Sequence, residues 1–102
     1  MATEFRSYRL TPQAERDLEN IWTYTFRAWS AKQADQYHAD LIVAIKRLAR
    51  GERTGRNVDE LRSGYLKYAV GQHVLFYRLS THHLDVIRIL HQRMDIPTHL
   101  SS

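Results

Sequence analysis

Two helical patterns follow each other in this chain with almost no residues between them. Residues 14–29 place apolar side chains at helical spacing, and residues 34–49 repeat such a pattern. Between them stands Ser30-Ala31-Lys32-Gln33, a capping box with Ser at the N-cap and Gln at the third helical position. Helices joined this closely pack antiparallel or nearly so, and the sequence therefore predicts a helical hairpin.

Signals for the outer ends of both helices are also present. Thr11 is suited to the N-cap of the first helix, and Pro12 to its first position, where a missing N–H does no harm. Gly51 stands where a left-handed residue ends a helix. The segment before the hairpin, residues 4–10, alternates weakly between polar and apolar side chains and predicts a short first strand.

After residue 64 the apolar pattern becomes that of a sheet. The predicted strands are residues 65–70, 73–79 and 84–91. Gly71-Gln72 can form a two-residue hairpin turn and residues 80–83 a four-residue connection, so these strands form an antiparallel meander. Residues 52–64 have no sustained periodicity and are predicted to be a connecting loop. The fold class is therefore α+β, in the order strand-helix-helix-three-strand, with an antiparallel sheet covered on one face by the helical hairpin.

The length of 102 residues allows one domain, and an apolar share of 43% is enough for a core. We expect a single domain over residues 1–102, with its core at about residues 5–92 and a polar, exposed tail at residues 93–102. The chain has no long apolar run, and its first ten residues carry charges, so we expect a cytoplasmic protein that does not enter membranes. The absence of Cys excludes disulfides, thiolate metal sites and a cysteine nucleophile.

The positive charge of the chain is concentrated in one stretch. The net charge is +4, and residues 44–67 hold seven basic side chains against three acidic ones, whereas the rest of the chain has eight of each. Such a stretch suits an acidic partner or a polyanion, and it can also be a solvated loop that keeps a small protein soluble. The candidates for contact with an acidic partner are Arg50, Arg53, Arg56 and Arg62.

Histidines and strand cations are the candidates for chemistry. The six His have no spacing typical of a metal site, so we predict neither a metal nor a cofactor. His91 ends an otherwise apolar strand, which fits either a half-buried structural histidine or a functional group at a strand end. Arg78 and Arg88 interrupt apolar runs, so each must face water, a carboxylate or a phosphate. Carboxylates that could pair with them are Asp17, Asp85 and Asp95. In a metal-free ribonuclease, the catalytic residues would be Arg78, His91 and Lys67.

Segments spread over nearly the whole chain, from about residue 8 to residue 100, resemble one family of proteins. No single motif is diagnostic, but the ordered set is specific. The segments include Tyr8-Arg9-Leu10-Thr11, Ile21-Trp22-Thr23-Tyr24-Thr25, Asp59-Glu60-Leu61-Arg62, His73-Val74-Leu75-Phe76-Tyr77-Arg78 and Arg88-Ile89-Leu90-His91-Gln92-Arg93-Met94-Asp95. In this order they are similar to the ParE family of toxins.

This resemblance implies a RelE/ParE-type fold and the toxin half of a type II toxin–antitoxin module, of the kind associated with plasmid stabilisation. It implies growth arrest through inhibition of DNA gyrase, by binding rather than by catalysis. It also implies neutralisation by a ParD-like antitoxin in a hetero-oligomeric complex, and no sequence-specific DNA binding by this chain.

Two alternatives to gyrase inhibition stay open. RelE-type relatives cleave mRNA on the ribosome with the same scaffold, so fold alone does not decide the activity. A net charge of +4 is modest for a protein that enters a ribosomal RNA site, which favours gyrase inhibition. The second alternative is a non-toxic relative that only binds an antitoxin.

The C-terminal tail is the candidate for contact with the target. It has no evident core role in the sequence, yet it matches the family through Met94-Asp95. The resemblance therefore points to target-binding residues in this tail. The candidates are Arg93, Met94, Asp95 and Leu100.

Overall fold

The computed structural model describes residues 6–94 and 96–100. Residues 4 and 5 of the predicted first strand lie outside the described residues, as does the candidate residue Asp95. The helices are α1 (Pro12–Ala28), α2 (Ala31–Ala49) and α3 (Ile96–Leu100). The strands are β1 (Ser7–Leu10), β2 (Arg56–Asn57), β3 (Tyr65–Val70), β4 (His73–Leu79) and β5 (His83–His91).

The helical hairpin forms as the sequence predicts, because its end signals act as hydrogen-bond partners. Thr11 Oγ1 accepts a hydrogen bond from the N–H of Ala14 at 3.0 Å, and Ser30 Oγ accepts one from the N–H of Gln33 at 3.1 Å. Gly51 follows the end of α2 with a φ of +78°, a conformation that a side chain would strain. The hairpin is thus fixed by local interactions at its start, its corner and its end.

The five strands form one sheet in the order β1-β5-β4-β3-β2. The predicted α+β fold and the antiparallel meander of β3, β4 and β5 are confirmed. The sheet is mixed rather than wholly antiparallel, because β1 pairs in parallel with β5. α2 returns the chain to the end of the sheet where β1 begins, since the N–H of Arg6 donates to the carbonyl oxygen of Ala49 at 3.2 Å. β3 and β5 then run away from that end in the same direction as β1.

Both faces of the sheet are covered, one by the helical hairpin as predicted and the other by segments for which no structure was predicted. The helical hairpin packs on one face in the larger core. Its fully buried members include Leu41, Ile45, Leu75 and Tyr77. A smaller core lies on the other face and consists of Val58, Tyr65, Phe76, Leu90 and Leu100.

Two segments with no predicted structure close this second face. The predicted loop at residues 52–64 contains β2, and its Val58 is only 2% exposed. The predicted exposed tail ends in α3, whose Leu100 is 4% exposed. The prediction that the tail has no core role is therefore wrong at Leu100. Burial there is favourable because Phe76 and Leu90 present apolar side chains on this face, and Leu100 removes them from water.

Candidate functional site

A cleft of about 750 Å³ opens where the end of α1 and the first half of α2 meet the ends of β4 and β5. Its lining combines the aromatic side chains of Tyr24, Trp29 and Tyr37 with the imidazoles of His73 and His91. Tyr24 is 71% exposed and Trp29 is 72% exposed, so two large aromatic side chains stand in solvent beside the cleft. Apolar clefts with a few convergent polar groups are the usual form of binding sites.

Tyr37 joins α2 to the turn between β3 and β4. Its hydroxyl lies 2.7 Å from Nδ1 of His73 and 3.1 Å from the carbonyl oxygen of Val70. The same hydroxyl accepts a hydrogen bond from the N–H of Gln72 at 3.1 Å. Gly71 permits this close approach, because a Cβ at that position would lie 2.8 Å from the Tyr37 ring. These contacts fix the position of the His73 ring in the cleft.

His73 and His91 lie directly opposite each other on β4 and β5. Their ring centroids are 5.3 Å apart and the rings are nearly perpendicular. Burial, followed by the neighbouring His91, lowers the pKa of His73, and Asp17 opposes this shift. Burial also raises the pKa of Tyr37. At neutral pH His73 is therefore neutral and Tyr37 keeps its phenol proton, and the tautomer of His73 decides which of the two donates in their contact.

His91 also shapes the chain that leaves β5. Its Nδ1 accepts a hydrogen bond from the N–H of Arg93 at 3.1 Å, and its carbonyl oxygen accepts one from the N–H of Met94 at 2.9 Å. These bonds close a turn over residues 91–94, in which both Arg93 and Met94 line the cleft. Met94 is 45% exposed.

Asp17 and Arg88 form an ion pair beside this cleft. Nε and Nη2 of Arg88 donate to the two carboxylate oxygens of Asp17 at 2.8 and 3.0 Å. The side chain of Asp17 is only 12% exposed, and that of Arg88 is 15% exposed. The interpretation of Arg88 as a structural ion-pair residue is confirmed, and its partner is Asp17.

The structure does not bring the three candidate nuclease residues together. Arg78 and Lys67 lie on the face of the sheet opposite to the hairpin, because Arg78 alternates with the buried Phe76 and Lys67 pairs with Phe76. His91 lies on the hairpin face beside His73. His73 and Arg78 are also five residue steps apart on β4, which is about 17 Å at the usual rise of about 3.4 Å per residue.

The four arginines proposed for an acidic partner are exposed but lie on different elements. Arg50 caps α2, Arg53 follows it, and Arg56 lies on β2 opposite Lys67. Arg62 is held in place, because its guanidinium lies over the Tyr65 ring at 5.9 Å. Its Nη1 also lies 3.4 Å from the carbonyl oxygen of Leu100. Arg50 and Arg53 also have local partners, because Nη1 of Arg50 lies 3.9 Å from Oε2 of Glu52 and Nη1 of Arg53 donates to the carbonyl oxygen of Glu52 at 3.1 Å.

The candidate target-binding residues also separate into two groups. Arg93 and Met94 line the cleft, whereas Leu100 is buried in the second core. Asp95 lies outside the described residues. Tyr37 and His73 do not stand out in the sequence, because Tyr37 belongs to an apolar helical stripe and His73 is one of six histidines. Gly71, which the sequence places in the turn beside His73, is a local signal that fits a close contact, because an added Cβ would lie 2.8 Å from the Tyr37 ring.

Over residues 6–94 and 96–100, no three His, Asp or Glu side chains come close enough together to hold a metal ion. The helices of this part of the chain are too short or too polar to cross a membrane.

A family model described as "ParE toxin of type II toxin-antitoxin system, parDE" matches residues 8–96. The chain belongs to the ParE toxin family. It is 47% identical over 94 residues to Toxin ParE1 of Mycobacterium tuberculosis, covering 91% of this chain and 96% of that protein. It is 39% identical over 95 residues to Toxin ParE1 of Caulobacter vibrioides, covering 93% and 98%. As a family member, it is a ParE-type toxin of a toxin–antitoxin system.

Two solved structures share the fold. A chain of the chromosomal ParDE toxin–antitoxin system from P. aeruginosa superposes with a TM-score of 0.74 at 17% identity, covering 87% of this chain and 98% of that one. A chain of the toxin–antitoxin complex RelBE2 from Mycobacterium tuberculosis superposes with a TM-score of 0.60 at 20% identity, covering 86% and 99%. Both solved chains therefore share the overall fold of this chain.

Proposed function

We propose that this ParE-type toxin inhibits DNA gyrase by binding to it, and that a ParD-like antitoxin neutralises the toxin in a hetero-oligomeric complex. The family membership supports this proposal, as do the relatives named Toxin ParE1. The similarity to a chain of a ParDE system supports the antitoxin partner.

One geometric observation favours inhibition by binding over mRNA cleavage. Lys67 and Arg78 lie on one face of the sheet, and His91 lies on the other. A metal-free nuclease needs its acid, its base and its charge-stabilising cations around one phosphate. The ribonuclease alternative therefore lacks an assembled site among these three residues.

The cleft is the surface that we propose for contact with the target. Arg93 and Met94 line it together with the exposed rings of Tyr24 and Trp29. Large exposed aromatic side chains beside an Arg are the composition typical of the energetically dominant part of a protein–protein interface. A surface of this composition needs no catalytic group.

Expression of the full chain alone in a bacterial host tests the activity. DNA synthesis and protein synthesis are followed by separate pulse labels over the first minutes. We expect DNA synthesis to stop first and the purified chain to inhibit supercoiling by gyrase. Early loss of translation supports the ribonuclease alternative, and continued synthesis of both supports a non-toxic relative.

Variants of the two surfaces sharpen this test. Met94→Asp places a charge at the cleft, and we expect it to relieve gyrase inhibition by about tenfold or more because a desolvated charge is costly in an interface. The matched control, Arg78→Ala, changes the other face of the sheet and is expected to inhibit as the wild type does. If only Arg78→Ala loses toxicity, the target-binding surface is not the cleft.

The antitoxin contact is tested separately. We propose that acidic groups of the antitoxin meet Arg53 and Arg56, because both are exposed in the basic stretch. The double change Arg53→Glu and Arg56→Glu should slow association and reduce its dependence on salt. Arg27→Glu, which changes an exposed cation in the last turn of α1, is the control. Unchanged association of the double variant rules out this electrostatic contribution.

A further inference from the structure

The turn that follows β5 is held by a histidine side chain. In this turn the N–H of Met94 donates to the carbonyl oxygen of His91 at 2.9 Å, and the N–H of Arg93 donates to Nδ1 of His91 at 3.1 Å. An Asn or Asp side-chain oxygen commonly accepts from the backbone two residues later in this manner. His91 does so with a ring nitrogen, which can also take up a proton.

Protonation reverses the role of that nitrogen. A neutral imidazole with an unprotonated Nδ1 accepts a hydrogen bond, whereas both nitrogens of an imidazolium are donors. A proton on Nδ1 of His91 would therefore face the N–H of Arg93, so that two donors meet and the hydrogen bond is lost. The turn over residues 91–94 must then change its conformation or turn the His91 ring away.

The groups around His91 come from four elements. His73 faces it from β4 at a ring distance of 5.3 Å, Tyr37 contacts His73 from α2, and Arg93 follows in the turn. Asp17 lies in the same cleft on α1, but its carboxylate is already paired with Arg88. Burial, followed by the neighbouring His91, lowers the pKa of His73, and Asp17 opposes this shift.

We propose that His91 is a positioning residue whose neutral imidazole holds Arg93 and Met94 in the conformation that contacts the toxin's target, so that acid weakens target binding. This inference rests on the proposed function, because it takes gyrase as the target and the cleft as the surface that contacts it. It assigns to His91 a role that depends on an acceptor atom rather than on catalysis.

Replacement of His91 by Asn keeps a hydrogen-bond acceptor at this position and removes the group that can be protonated. The side-chain oxygen of Asn can take the place of Nδ1 and accept from the N–H of Arg93, but it does not titrate near neutral pH. His91→Leu removes the acceptor at every pH. His38→Asn, at an exposed position on α2, is the matched control.

Two measurements on the full chain test the proposal. In the first, gyrase inhibition is compared at about pH 7.5 and about pH 5.5 for each variant. We expect the wild type and His38→Asn to lose about tenfold in potency at the lower pH, which corresponds to the loss of one hydrogen bond. The potency of His91→Asn should stay constant between the two pH values. His91→Leu should be weak at both values. A pH dependence of His91→Asn that equals that of the wild type overturns the proposal, as does full potency of His91→Leu.

The second measurement does not require gyrase. The amide resonance of Arg93 is followed by NMR as a function of pH. It should shift and exchange faster with solvent as the wild type is acidified, and it should stay constant in His91→Asn. An equal response in both proteins, or none in the wild type, overturns the positioning role. If the wild type does not inhibit gyrase at any pH, the proposed function fails, and the amide titration still decides the role of His91.

Discussion

Asp17 on α1 accepts a hydrogen bond from the backbone N–H of Ile89 on β5, at 2.9 Å. β1 pairs with β5 only as far as Val86, so β1 does not reach the N–H of Ile89. The carboxylate of Asp17 on α1 accepts the hydrogen bond that a longer β1 would have accepted. The same carboxylate holds Arg88 through two hydrogen bonds. One side chain therefore fixes the helical hairpin to the sheet beside the cleft.

Removal of this carboxylate should destabilise the whole fold. Asp17→Ala leaves both the guanidinium of Arg88 and the N–H of Ile89 without a partner, in surroundings where the ion pair is mostly buried. We expect the free energy of unfolding to fall by about 3 kcal/mol, as urea denaturation would show. Arg9→Ala breaks an ion pair whose Arg is 56% exposed, and it should cost far less. An equal loss in both variants would contradict the structural role of Asp17.

Gly71 is required for two reasons, which a comparison of glycines can separate. Its φ is +56°, and an added Cβ would lie 2.8 Å from the Tyr37 ring. Gly51 has a φ of +78° but open space around it. Gly51→Ala should therefore cost about 1 kcal/mol from backbone strain alone, and Gly71→Ala about 2 to 3 kcal/mol, measured by thermal or urea unfolding. Equal costs would show that the Tyr37 contact is relieved by small movements.

Stability should depend on the protonation of His73. Burial, and then His91, lowers the pKa of His73 in the folded protein below its ordinary value of 6.5. As the pH falls below that value, the unfolded chain binds more protons than the folded chain. The contribution of His73 to the free energy of unfolding is therefore complete above that pH and declines below it. The free energy of unfolding of the wild type should therefore fall between about pH 7 and about pH 5. His73→Gln, whose side-chain amide can still form a hydrogen bond with Tyr37, should fall less steeply, whereas parallel curves would contradict the prediction.

The sequence was sufficient for the helical hairpin and the meander, because both depend on contacts close in the chain. The capping box at Ser30 and the alternation after residue 64 are local signals. The direction of β1 is not local, since it pairs with residues more than 70 positions later. The alternation of polar and apolar residues in β1 indicates which side chains face the core, but it does not indicate which strand β1 pairs with.

The site itself could not be derived, because it depends on a bulge. The register between β4 and β5 shifts at Phe76 and Tyr77, and this shift places His91 opposite His73. Without the extra residue, His73 would lie opposite Leu90, and His91 would point to the other face of the sheet. The apolar pattern of β5 does not reveal the position of the bulge, so the pairing of the two histidines is visible only in the structure.

The C-terminal segment should combine a structural and a functional role in different residues. Leu100 packs against Val58, Tyr65 and Phe76, and it is 4% exposed. Leu100→Ala should therefore lower the free energy of unfolding by about 2 to 4 kcal/mol, because it removes apolar contacts and leaves a cavity. Truncation of the chain before α3 should destabilise it for the same reason.

Met94→Ala is the matched comparison, because Met94 is 45% exposed and lines the cleft. We expect its free energy of unfolding to change by less than about 0.5 kcal/mol, while binding to the target weakens. Urea denaturation and a supercoiling assay on the same preparations measure the two effects. If Leu100→Ala keeps wild-type stability but loses toxicity, Leu100 leaves the second core to contact the target. If Met94→Ala instead destabilises the fold as much as Leu100→Ala does, its effect on toxicity cannot be assigned to a binding surface.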